Sequence, residues 1–327
     1  MFRRERRNRR NWLALGAGLL VALVTQRPSS NAEWAALETP PAAPLAHEWQ
    51  LVEGRHWQIA STHEPEDPAV SDAHEGTRGN CPLGMVEVDG LMVGGSHGRL
   101  DAIDELQRPT CVDWIDQTFP ERCARFDRPQ WLALSASLPR EPMHFCIDRF
   151  EYPNRRGAYP WIMVDFFEAR NLCARDGKRL CTEAEWTFAC EGEEAMPYPY
   201  GYDRGADVCV IDRPWREVNE VALLPRESDH ALREIDRLWQ GEASGTRPRC
   251  RSPFGVYDMT GNVDEWTTSV QPGERPSIFK GGYWGPVRAR CRPSTRVHGE
   301  DFAFYQQGLR CCGDLPEGPD RLRAQTP

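Results

Sequence analysis

At 327 residues, with 40% hydrophobic and 10% aromatic content, the chain is long enough to bury one large core or two ordinary ones. A formal charge of −9 argues against a nucleic-acid partner, because such binding needs a basic face to neutralise phosphates. The 27 Gly and 27 Pro, with few long periodic segments, exclude a helical bundle or a doubly wound sheet and imply a loop-rich scaffold.

The chain opens on MFRRERRNRR, followed by a 13-residue apolar run from Trp12 to Val24. A cationic start before an apolar stretch shorter than the ~20 residues of a spanning helix is the layout of a secretory signal. Ser30-Asn31-Ala32 offers small residues for cleavage, so residues 1–32 read as a signal peptide, or as a signal anchor whose arginines stay in the cytoplasm. Either reading exports the rest to the periplasm or cell envelope, with membrane contact only through an uncleaved N-terminal anchor in the inner membrane. Residues 33–80, rich in Pro, Ala and acids, read as a linker in which HEWQLVEGRHWQIA can dock locally. His47 and His56, in that patch, read as surface residues.

Twelve cysteines follow from Cys81 to Cys312 with no C-x-x-C among them, which implies a disulfide framework rather than a metal cluster. Three helices are signalled in this region. Asp165-Phe-Phe-Glu168 is a capping box, after which Phe166, Ala169 and Cys173 share one face and Gly177 supplies the stop. Thr182-Glu-Ala-Glu185 is a second box, with Trp186 and Cys190 four apart and Gly192 as the stop. A third helix spans 228–240, placing Leu232, Ile235, Leu238 and Trp239 on one side before Gly241, in a segment whose composition suggests an insertion. Trp186, Met259 and Trp266 read as core, and Lys178 and Arg179 as partners of acids across the fold. Residues 316–327 read as a tail.

CPLGMVEV, FCIDRFEYPN, GKRLCTEAEWTFACEG, YPYG, SPFGVYDMTGNVDEW, FKGGYW and GLRCC occur in this order. In that order they resemble the formylglycine-generating enzyme (sulfatase-modifying factor) family, in a bacterial exported type. The resemblance covers most of 81–315 and implies an α+β, C-type-lectin-like fold, with little regular secondary structure and many disulfides. It also implies the bridges Cys173–Cys311 and Cys190–Cys291. The other eight cysteines cannot be paired from sequence, although adjacent Cys311 and Cys312 must serve different partners.

The resemblance implies calcium in the turn GNVDEW, through Asn262 and Glu265 side chains and the Gly261 and Val263 carbonyls, as a hard cation requires. The competing reading is a Gly-Asn turn with solvated acids. Asp264 stands where the family carries tryptophan, either as a further oxygen ligand or as a residue that loosens packing. Family members that make formylglycine use two cysteines to hold copper, which suits soft thiolates. Here GGYWGPVRARC offers Cys291 alone, and the three-histidine iron site of a second catalytic branch has no counterpart among the eight histidines. Cys291 and His298 are therefore the weak candidates for catalysis. Arg288, Arg290, Arg292, Arg296, Glu300 and Asp301 occupy the stretch that lines the family's cleft, where arginines suit anionic groups; otherwise they are surface ion pairs. These residues imply a binding or structural protein with a protein, peptide or glycan ligand. The alternative is a metal-dependent oxidoreductase, with copper or iron, acting on a thiol or small molecule.

Overall fold

Asp165 and Thr182 start two helices through reciprocal hydrogen bonds. In α4 (Phe166–Arg175) the Asp165 side chain accepts from the Glu168 N–H and the Glu168 side chain from the Asp165 N–H; Thr182 and Glu185 do the same for α5 (Glu183–Glu191). The computed structural model describes residues 43–75, 79–94, 100–269 and 275–315. The chain divides into Met1–Pro44 and Leu45–Pro327, and the elements below belong to the second unit. The expected leader and the C-terminal tail lie outside the described residues.

The other helices are α1 (Pro68–Glu75), α2 (Leu100–Gln107), α3 (Arg128–Ser135) and α6 (Asp229–Leu238). Two antiparallel pairs stand apart, β1 (Trp49–Val52) with β2 (His56–Ile59) and β4 (Cys111–Asp116) with β5 (Arg122–Phe126). A four-stranded sheet runs β3 (Met85–Val93), β6 (Arg140–Asp148), β11 (Cys311–Gly313), β7 (Arg179–Leu180). A three-stranded sheet has β8 (Asp264–Thr268) at its centre, antiparallel to β9 (Ser277–Lys280) and parallel to β10 (Gln307–Leu309).

Six disulfides join these short elements: Cys81–Cys146, Cys111–Cys123, Cys173–Cys311, Cys181–Cys312, Cys190–Cys291 and Cys209–Cys250. The two bridges that the resemblance implies are among them. Adjacent strand residues face opposite sides of a sheet, so Cys311 reaches α4 in one core cluster while Cys312 reaches Cys181, beside α5, in another. Each long loop so closed destabilises the unfolded chain by about 2–4 kcal/mol, which a fold with little regular structure needs. α5 is buried along its whole length, with Trp186 at its centre fully enclosed, as are Met259 and Trp266. Lys178 pairs with Asp148 at 2.6 Å, and Arg179 with Glu185 and Asp314 at 2.7 Å each.

Three sequence expectations change. Residues 45–75, expected within a linker, are part of the folded unit: Trp57 is 5% exposed and donates to the Arg226 carbonyl at 2.7 Å, and Asp72 and Glu75 pair with Arg149 and Arg156. His56, expected at the surface, is 3% exposed and stacks on Trp161. Its burial lowers its pKa, which disfavours the charged form. Composition misled because the segment's few aromatic residues, dispersed among prolines and acids, find their partners on distant elements. The third helix also ends at Leu238 rather than 240. Trp239 leaves helical geometry (ψ 133°) to set its ring 5.6 Å from Trp49 and 4.7 Å from Trp284.

Candidate functional site: a cleft beside Asp264

The Gly281-Gly282 pair bends the chain out of β9 with φ of 89° and 72°. A Cβ at Gly282 would sit 2.9 Å from Val287 and 3.2 Å from Ala289, so glycine is needed both for the turn and for the close approach of the returning chain. The loop so folded, with the starts of β8 and β10, encloses a cleft of ≈ 200 Å³. Asp264, Gln306 and Gln307 contribute polar groups, Phe279, Tyr283 and His298 contribute rings, and Arg288 and Arg290 also line it.

Asp264 opens β8 and lies opposite Gln307 of the parallel β10, and its N–H donates to the Gln306 carbonyl at 2.9 Å. The Gly282 N–H and the Gln306 side chain act on its carboxylate to favour the charged form. Burial raises its pKa to about 7, and neighbouring Glu265 pushes in the same direction. The Gln307 side chain is 2% exposed, and neither its Oε1 nor that of Gln306 has a hydrogen-bond partner among the described residues.

The arginines expected to form an anion-binding cleft are mostly occupied by acids. Arg290 pairs with Asp104 at 2.7 Å, Arg292 grips Glu191 through two bonds of 2.6 and 2.7 Å, and Arg296 donates to Glu183 at 2.6 Å. Arg292 and Arg296 do not line the cleft. Arg288 does, donating to the Ser294 carbonyl at 3.2 Å with its guanidinium over Phe119. Glu300 accepts from Ser277, and it and Asp301 also lie outside the lining. His298 reaches the cleft, stacked 4.0 Å from Phe302, and burial lowers its pKa.

Cys291 is fully buried and bonded to Cys190, so this state offers no thiolate at position 291. The catalytic reading of that residue is thereby replaced by a structural one. The calcium reading does not fit the side chains either. Glu265 is 1% exposed, and its two oxygens meet the Arg310 guanidinium at 2.8 and 3.0 Å and the Trp186 indole at 2.7 Å. A fixed guanidinium already supplies the positive charge there, and a calcium ion beside it would meet like-charge repulsion. The Asn262 oxygen accepts from the Glu242 N–H at 2.8 Å, and its amide donates to Glu151 at 2.7 Å. Among the described residues no group of three or more His, Cys, Asp or Glu side chains is placed to hold a metal.

The fold and site define a disulfide-stapled α+β domain whose cleft sits behind a double-glycine turn. Residues 130–315 match the sulfatase-modifying factor enzyme 1-like domain, and the chain belongs to that family, with its formylglycine-generating-enzyme-like, C-type-lectin-like fold. It is 28% identical over 173 residues to the bovine (Bos taurus) inactive C-alpha-formylglycine-generating enzyme 2, covering 50% of this chain and 53% of that one. To the formylglycine-generating enzyme of Mycobacterium tuberculosis it is 32% identical over 193 residues, covering 50% and 60%. To the hercynine oxygenase of Mycolicibacterium thermoresistibile it is 29% identical over 155 residues, covering 41% and 31%. The chain thus spans between 31% and 60% of these relatives' lengths.

Sequence reading noticed Asp264 only as a departure from the family's tryptophan and missed Tyr283, Gln306 and Gln307. A polar residue opening a strand at a position that the family fills with a large apolar one is the signal that would have led to the cleft.

Proposed function

We propose that this chain is an exported, ligand-binding member of the family that does not oxidise cysteine. The observation that carries the reading is that the cleft beside Asp264 is lined by no cysteine, while Cys291, the cysteine of that loop, is committed to Cys190. A polar cleft with ring walls selects a ligand by hydrogen bonds and shape, and a protein side chain, peptide or glycan can enter it. The six disulfides suit an oxidising compartment, and the arginine-rich, then apolar, N-terminus supports secretion into one.

The test is to purify the protein from an oxidising compartment, count thiols under denaturing, non-reducing conditions, and assay oxidation of a cysteine-containing peptide with copper and dioxygen. No reactive thiol and no aldehyde product support the reading. A pair of titratable thiols with turnover would sink it in favour of a metal-dependent oxidoreductase.

A further inference from the structure

We propose that the cleft takes an ammonium head group, from a small amine or a lysine side chain, held between the Asp264 carboxylate and the side-chain carbonyls of Gln306 and Gln307; this rests on reading the cleft as a binding site. Two side-chain carbonyls on this wall are buried and unspent. The Gln306 Oε1 is a buried acceptor without a donor among the described residues. The Gln307 Oε1 is likewise unpartnered on a residue 2% exposed. A buried acceptor left unmade is costly, so two of them beside one carboxylate mark a place where a donor arrives from outside the chain.

Charge and shape point the same way. Glu265 is the neighbouring charge acting on Asp264, and Glu265 is itself paired with the Arg310 guanidinium. Of the two arginines on the lining, Arg290 is paired with Asp104, and Arg288 donates to the Ser294 carbonyl with its guanidinium over the Phe119 ring. Tyr283 and Phe279 bring aromatic rings to the lining, which suit a cation, and burial lowers the pKa of His298, which disfavours its charged form. An ammonium group carries three donors, matching the three acceptors. The carboxyl that burial holds at about 7 would ionise fully on meeting it.

Calorimetric titration of the full protein separates the possibilities, with n-butylammonium and a capped Gly-Lys-Gly tripeptide as probes. Butanol, butyrate and the norleucine tripeptide serve as controls. The expected result is binding of the two cations over their neutral counterparts, weakened at least about tenfold in Asp264→Asn and less in Gln307→Met. Affinity in the unaltered protein should rise from pH about 6 to about 8 as Asp264 ionises, a readout that needs no variant to fold. Preference for the small amine or the tripeptide identifies the source. Equal binding of butanol, tighter binding of butyrate, a flat pH response or no binding at all would overturn the amine assignment. Butyrate binding would leave the ligand-binding reading standing, whereas cysteine-peptide oxidation would remove that reading independently.

Discussion

Glu265 and Arg310 form a doubly hydrogen-bonded ion pair at 2.8 and 3.0 Å with neither residue more than 1% exposed. Arg310 also donates to the Asp148 and Tyr257 carbonyls, so this one side chain ties β8, the end of β6 and the loop before β8 together. Taking two charges out of water is costly, and the pair holds because the remaining donors and acceptors are satisfied.

Arg310→Met should destabilise the protein by about 3–5 kcal/mol in urea unfolding, since it strands a buried carboxylate, and the double variant with Glu265→Leu should cost less than Arg310→Met alone. The same melts done with millimolar calcium should show no calcium-dependent gain. A gain abolished by Glu265→Gln would restore the calcium assignment and refute the ion-pair account.

The bridge Cys190–Cys291 closes a long loop on the buried face of α5. Replacing both cysteines by serine should lower stability by about 2–5 kcal/mol. No oxidising activity should be lost, because none is expected. Retained stability would show that the bridge does not form in solution.

Asp264 should give the protein an unusual pH response. Its pKa is raised to about 7 in the folded chain, so the native state holds a proton that the unfolded state has already released. Stability from this group is present below the ordinary carboxylate pKa and is lost as pH rises towards about 7. Asp264→Asn should therefore flatten the fall in unfolding free energy across that window and be more stable than the parent at pH about 8. A residue that lowers stability at neutral pH yet lines a cleft is what a binding site retained against stability looks like. An unchanged slope would show the carboxyl to be well solvated.

Residues 45–75 should behave as part of the domain. Trp57→Ala should cost about 3–5 kcal/mol, and a chain of residues 81–315 should unfold at lower urea than one beginning at Leu45. Equal midpoints would return this segment to the status of a linker.

The sequence by itself determined the local features: both capping boxes, the extent of α4 and α5, the core tryptophans, and the order of motifs that marks the family. Each depends on contacts within a turn or two of helix, or on the burial preference of a single large side chain, and such signals lie along a short stretch of chain. Only the tertiary structure decided which acids occupy Arg290, Arg292, Arg296 and Arg310, because an arginine's partner depends on which distant segment is folded against it. The turn GNVDEW shows the division most clearly. The resemblance implied an oxygen cage there, yet folding turns Glu265 inward to Arg310 and brings Asp264 beside Gln307 through the parallel pairing of β8 with β10. Two adjacent acidic residues thus have different roles, since neighbours on a strand face opposite sides and meet different partners.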